Sequence, residues 1–166
     1  MTEEQYARWT APLRARPRLT HAVVAANRAL TVAGYVLYPL LIALLAAFDR
    51  TLIVRCIVVP AVAFVALSLF RRAVNAPRPY EALAIEPLIA KDTHGKSFPS
   101  RHTFSMFMIA LTWAVWQPAV GAVLAVASAA MACVRVLGGV HFPRDVVAGA
   151  AFAALAAVVG YLVVPW

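Results

Sequence analysis

The sequence predicts an all-α fold: an integral membrane helical bundle of about five transmembrane helices, with an interfacial segment at its N-terminus. Three observations carry that expectation. Hydrophobic residues fill 63% of the 166 positions and the mean hydropathy is +0.80, far above the roughly 45–50% apolar content of soluble domains. Only 13% of residues are charged, too few to cover a water-exposed globule. The apolar residues gather into five runs of about 15–20, near the ~20 that cross a bilayer.

Residues 1–19 are polar and basic, with Arg8, Arg14, Arg16 and Arg18 and the apolar anchors Tyr6, Trp9 and Leu13. They read as a segment lying on the membrane surface, in which Pro12 and Pro17 argue against one continuous helix. The acidic pair Glu3–Glu4 and the polar start give no cleavable signal peptide. A first spanning helix is expected from Leu19 with Thr20 as its cap, embedded from Thr31 to Phe48. Asp49-Arg50-Thr51 forms a tight turn. The second run, Leu52 to Phe70, carries Arg55 near its start, where a long side chain can snorkel to the interface.

Residues 71–99 form the one long polar connection, with Pro77, Pro79, Pro87, Gly95 and several charges; a loop of that length in a compact protein usually carries function. The third run, Thr103 to Trp116, stops at Gln117-Pro118. The fourth is Ala119 to Leu137, followed by a short turn from Gly138 to Pro143. The fifth, Val146 to Val164, closes on Pro165-Trp166, an interfacial aromatic. Gly121, Ala125 and Ala129, and again Gly149, Ala153 and Ala157, recur every four residues, a spacing that lets helices approach closely in lipid. Cys56 and Cys133 both fall within apolar runs and are expected to be buried thiols. No repeat, linker or low-complexity tail divides the chain, so residues 1–166 form one domain.

Counting crossings locates the polar residues. If every run spans, the end of run two, the start of run three, the end of run four and the start of run five share one membrane face. Three polar clusters meet there: Arg71 with Arg78-Pro79, Pro99-Ser100-Arg101-His102, and Arg135 with His141 and Asp145. Ser100 is a favoured helix N-cap, and the free amides and dipole of the helix start behind it attract an anion. Arg71, Arg78 and Arg135 are suited to bidentate phosphate contacts. Ser100, Arg101, Arg71, Arg78 and Arg135 are therefore the candidate phosphate-binding residues.

In order and spacing, Arg71-x6-Arg78-Pro79, Pro99-Ser100-Arg101-His102 and Arg135-x5-His141-x3-Asp145 resemble the three-part signature of the type 2 phosphatidic acid phosphatase superfamily, K-x6-R-P, P-S-G-H and S-R-x5-H-x3-D. The chain departs from it at Arg71 for lysine, Arg101 for glycine and Val134 for serine. The resemblance implies the catalytic set His141, His102 and Asp145. His141 would attack phosphorus and become a phosphohistidine, and Asp145 would orient its imidazole. His102 would protonate the departing group and then activate water. The resemblance further implies a helical bundle whose third, fourth and fifth runs hold the site, with lipid entering sideways.

The reading is a metal-independent membrane lipid phosphatase acting on a lipid phosphomonoester or a polyprenyl or other lipid diphosphate. Phosphatidic acid, phosphatidylglycerophosphate and polyprenyl diphosphate are the substrates that the resemblance offers. A lipid phosphotransferase using the same intermediate, and a non-catalytic anionic-lipid binder or transporter, are the alternatives. No cofactor is expected, and no metal, since carboxylates and histidines at ligand spacing are lacking. The net charge of +8 comes in short segments without a stacking surface, which excludes nucleic acid and favours anionic lipid headgroups. Arg72, Lys91, Lys96 and Arg144 are assigned to such headgroups, Tyr80 and Glu81 to an interfacial aromatic and a solvated charge or to the headgroup entrance, and His21 and His94 to no role. The expected location is the plasma (inner) membrane, multi-pass. The positive-inside rule favours a cytoplasmic site, whereas the family resemblance places it outside the cytoplasm.

Overall fold

The computed structural model describes residues 1–164; the Pro165-Trp166 end lies outside the described residues. Seven α-helices follow one another: α1 (Glu3–Arg14), α2 (Pro17–Phe48), α3 (Ile53–Val74), the single turn α4 (Pro79–Ala82), α5 (Arg101–Trp116), α6 (Pro118–Leu137) and α7 (Pro143–Ala157), the last continued by a π-helical stretch, Val158–Val163. Among the described residues, four stretches are long and apolar enough to cross a membrane: Pro17–Phe48, Arg50–Ala82, Pro118–Leu137 and Pro143–Val163. The fifth expected span, α5, has 16 residues, about 24 Å at the α-helical rise. It is the most enclosed helix, burying Phe104, Met106, Met108, Ala110 and Trp113. A helix wrapped by its neighbours need not reach both lipid interfaces by itself.

Local chemistry sets the helix ends. Thr2 and Gln5 close α1 with a reciprocal capping box, and Glu3 and Glu4 face the positive end of its dipole. Pro12 is accommodated inside α1, so the break falls later than its position implies. It comes at Arg16, held extended (φ −132°, ψ 95°) by the Pro17 that follows. The cap expected at Thr20 is therefore not used, because α2 starts three residues earlier on Pro17. The Thr20 hydroxyl instead donates to Leu13 O at 3.0 Å, tying α2 back to α1. Asp49 caps the short 3-10 turn by accepting from the Thr51 amide and hydroxyl. Asn75, left-handed at φ 42°, ends α3, and this carries the helix past Phe70 so that Arg71 lies in its last turn.

Two apolar clusters bind the bundle. Val59, Ala63 and Leu67 of α3 meet Phe104 and Met108 of α5 and Ala153 and Ala157 of α7. Leu41 and Leu45 of α2 meet Leu52, Cys56 and Trp113 in the second. Large apolar side chains also cover the outside, with Tyr35 76% and Leu162 79% exposed, as lipid rather than water demands. The small-residue stripe of α7 does allow close approach: a Cβ on Gly149 would lie 2.6 Å from Ser100 O. On α6 the stripe is different. Gly121 packs on Ala110 and Ala114, but Ala129 is exposed, and the inner face runs through Ser128, Met131 and Arg135. A strict four-residue step drifts around a helix of 3.6 residues per turn. The same drift turns Cys133 outward; it is exposed, not buried as expected, whereas Cys56 is buried.

Candidate active site

The end of α3, the start of α5, the end of α6 and the start of α7 meet at one end of the bundle, as the crossing count required. The Ser100 amide donates to Asp145 O at 2.8 Å, joining the start of α5 to that of α7. The absent side chain of Gly149 makes this approach possible.

The loop between α3 and α5 is fastened by the two arginines of the first cluster. Arg71 directs Nη1 to the carbonyls of Ser97 and Pro99 and Nη2 to that of Lys96. Arg78 donates from Nε to Gly95 O at 3.1 Å and from Nη1 to Val140 O at 3.2 Å. A guanidinium has five N–H donors, so both retain donors beyond those that hold the loop. Glu81 is exposed, and it also helps to fasten the loop. Its carboxylate accepts from the amides of Arg78 and Gly95 and contacts His94 at 3.2 Å. Tyr80 donates to Thr93 O in the same fastening.

His141 and Asp145 lie next to each other, buried to 1% and 0% exposure. Their direct separation, His141 Nδ1 to Asp145 Oδ2, is 3.6 Å, longer than a hydrogen bond. Ser97 fills the gap. Its hydroxyl donates to Asp145 Oδ2 at 2.5 Å and lies 3.3 Å from His141 Nδ1. Asp145 Oδ2 also accepts from the Phe142 amide at 3.0 Å, which fixes it in the first turn of α7 behind Pro143. With Nδ1 engaged, Nε2 is the ring nitrogen left for chemistry. Burial, opposed by Asp145 and assisted by Arg135 and Arg78, holds the His141 imidazole below the ordinary histidine range, so it is neutral at neutral pH.

Arg135 is 2% exposed, and its Nε and Nη2 are buried without a partner among the described residues. Its Nη1 donates to Asn27 Oδ1 on α2 at 2.9 Å. A buried guanidinium with two unsatisfied nitrogens strongly favours an anion beside it. Ser100 is buried and acts as the α5 cap, its Oγ accepting from the Thr103 hydroxyl at 3.1 Å, which leaves its own proton to donate. Arg101 stands apart from the other arginines. It is exposed, with its guanidinium 5.9 Å from the centre of the Phe64 ring.

Arg101 and His102 line the polar end of an apolar cavity of about 560 Å³ between α2, α3 and α5, whose walls include Tyr38, Pro60, Phe64 and Met108. Three residues that sequence reasoning left out belong to this region. Asn27 was detectable as a lone amide in an apolar helix, a placement that marks function by default. Ser97 gave no signal distinct from a loop serine. Lys91, assigned to headgroups, is half-buried beside the cluster, and burial together with Arg135, Arg78, Arg101 and Arg71 lowers its ammonium to about 8. Lys96 and Arg144 are exposed, as are His21 and His94.

The N-terminal segment is more than a surface anchor. Tyr6 is buried, donating to Leu137 O at 3.2 Å and accepting from the Leu88 amide at 3.3 Å. A Cβ on Gly139 (φ +72°) would lie 2.7 Å from its hydroxyl, so only glycine lets α1 and the loop close over the turn that carries His141.

Residues 52–166 match the family described as the PAP2 superfamily. Among solved structures the chain is similar to LpxE of Aquifex aeolicus, with 26% identity, a TM-score of 0.74 and coverage of 96% of this chain and 93% of that one. It also shares its fold with a transmembrane PAP2-type phosphatidylglycerolphosphate phosphatase from Bacillus subtilis, with 18% identity, a TM-score of 0.56 and coverage of 93% and 88%. A search of curated proteins gives no match.

Proposed function

Since the chain belongs to the PAP2 superfamily, we propose that it is a membrane lipid phosphatase that hydrolyses a lipid phosphomonoester or diphosphate through a phosphohistidine on His141. The observation that carries this reading is the buried His141–Ser97–Asp145 relay beside an Arg135 with two unpartnered nitrogens. Binding an anion needs the arginine alone. An imidazole tethered through Nδ1 to a buried carboxylate is the arrangement of an activated nucleophile.

In the first step the Nε2 lone pair attacks phosphorus in line. The phosphorus–oxygen bond to the lipid breaks with its electron pair on oxygen, and His102, held as the imidazolium by the bound phosphate's negative charge, gives that oxygen a proton. Asp145, through Ser97, stabilises the charge that develops on His141. Arg135 and the spare donors of Arg71 and Arg78 neutralise the equatorial oxygens, where the transition state concentrates charge. In the second step His102 takes a proton from water, the water oxygen attacks phosphorus, and the phosphorus–nitrogen bond breaks to release inorganic phosphate and neutral His141. The lipid tail lies in the apolar cavity that opens at His102.

The test is phosphate release by the purified protein in detergent, across a panel of lipid phosphates and diphosphates, beside His141→Ala. Release by the wild type that the variant loses, with ³²P trapped on the wild-type protein by acid-free denaturation, supports the reading. Equal release by both proteins overturns it.

A further inference from the structure

We propose that Tyr6 of α1 is a positioning residue for the reaction: its hydroxyl locks the active-site loop to the segment that joins Arg135 to His141, and so keeps the nucleophile in line with bound phosphate. The proposal rests on the lipid phosphatase reading and deepens it. α1 lies outside residues 52–166, the stretch that matches the family, so the family signature gives it no part in the chemistry.

The segment from Arg135 to His141 needs outside support. Helix α6 ends at Leu137, and a helix end leaves carbonyls without partners of its own. Those of Val134, Arg135 and Val136 are taken by the amides of Gly138, Val140 and Gly139. The next ones reach outward. Leu137 O accepts from the Tyr6 hydroxyl at 3.2 Å, Gly138 O from the Ile89 amide at 3.1 Å, and Val140 O from Arg78 Nη1 at 3.2 Å. Three donors thus hold the turn between the guanidinium that faces phosphate and the imidazole that attacks it. Ile89 and Arg78 belong to the loop between α3 and α5, and Tyr6 comes from the far end of the chain.

The same hydroxyl joins turn to loop. It accepts from the Leu88 amide at 3.3 Å while it donates to Leu137 O, so a single oxygen spans both. The loop depends on such ties, because residues 83–100 form no helix or strand. α1 adds two more: the Ala84 amide donates to Glu3 Oε1 at 2.8 Å, and Arg14 directs Nη2 to Glu86 O and Nη1 to Glu86 Oε2. Those two are exposed, so water competes for them, whereas Tyr6 is only 2% exposed.

In-line transfer is sensitive to this kind of support: a misplacement of about 1 Å, caused far from the chemistry, costs up to about a hundredfold in rate. Arg135 precedes the turn and His141 follows it. Loosening Leu137 therefore lets Nε2 drift from phosphorus while the arginines still hold the anion. The loss falls on the transition state rather than on binding. A phenyl ring would fill the same space, so packing alone does not call for the hydroxyl.

The test compares the purified full-length chain with Tyr6→Phe in detergent. Orthovanadate, which accepts a further ligand as phosphorus does during transfer, probes alignment with the nucleophile; inorganic phosphate probes the anion site alone. The variant's kcat on a lipid phosphate is expected to fall about tenfold with KM within about twofold, and its Ki for orthovanadate to rise about tenfold with that for inorganic phosphate within about twofold. An unchanged kcat overturns the positioning role and leaves the phosphatase reading standing. So does a loss of kcat with neither Ki changed, which reports fewer folded molecules, or a rise of both Ki values alike. Should Tyr6→Phe not fold, the double variant Glu3→Ala/Arg14→Ala, which frees only the exposed ties, is read in the same way with changes of about threefold expected. If the wild type releases phosphate from no lipid, the phosphatase reading fails by itself. The role of Tyr6 is then decided by the affinities of wild type and variant for the two anions, read as shifts in melting temperature: a loss confined to orthovanadate supports it, and its absence overturns it.

Discussion

Asn27 of α2 and Arg135 of α6 meet across 108 positions of sequence through a 2.9 Å hydrogen bond from Nη1 to Oδ1. The amide oxygen orients the guanidinium without cancelling its charge, and Nε and Nη2 stay unpartnered. Asn27→Asp replaces that neutral acceptor by a carboxylate, which would compete with phosphate for the same cation. The expected result is a KM, and a Ki for orthovanadate, raised about tenfold or more, with Asn27→Ala weaker in effect, since one hydrogen bond to a charged group is worth about 1.5–3 kcal/mol. A purely structural role would lower the melting temperature of both variants and leave vanadate affinity of the folded fraction unchanged.

Ser97→Ala removes the bridge and leaves His141 and Asp145 at a separation of 3.6 Å with no group between them. We expect kcat to fall about 10–100-fold, the usual scale for losing an outer partner of a reactive imidazole, with KM within about twofold because no phosphate contact is lost. Steady-state kinetics on one substrate suffices. An unchanged kcat would show that Asp145 acts directly.

Gly149→Ala inserts a methyl 2.6 Å from Ser100 O, against backbone that cannot step aside cheaply. Overpacking of this kind costs about 1–3 kcal/mol. Here it also separates the start of α5 from that of α7, so activity should fall more steeply than thermal stability in detergent. Ala153→Gly, on the same face, should cost stability without the same loss of turnover.

Activity should persist in EDTA. The donors around the site are two imidazoles and one buried carboxylate among the cations Arg71, Arg78 and Arg135, a field that draws phosphate in and repels Mg²⁺. Phosphate release measured with and without excess chelator decides the matter. Loss with EDTA and rescue by Mg²⁺ would refute a purely histidine-based reaction.

Sequence patterns revealed the bundle and the polar residues that gather at one end of it because each rests on local or countable features. Five apolar runs predict helices, and the even number of crossings between the end of run two and the end of run four brings Arg71, Ser100, Arg135 and Asp145 to one face with no pairing assumed. The connections among those groups were not legible. Ser97 looks like any loop serine until α7 places Asp145 at 2.5 Å, and the Asn27–Arg135 contact depends on how α2 packs on α6. Arg71 and Arg78 were read as phosphate ligands from charge alone. The carbonyls they hold show that they also fasten the loop, a role set by backbone geometry that no spacing encodes. Thr20 failed as a cap because Pro17, three residues earlier, already satisfies the helix start.

The Tyr6 hydroxyl touches Leu88 and Leu137, residues 82 and 131 positions later in the chain. Tyr6 is synthesised before either partner and must wait, on its own membrane face, until the four passes between it and Leu137 have been threaded. His141 and Asp145 arrive only with the last of them. The pocket is thus completed only once the fourth pass has been threaded, and a chain halted earlier is inert rather than partly active. Turnover then serves as a built-in report of complete membrane integration, and truncations from either end should abolish it together.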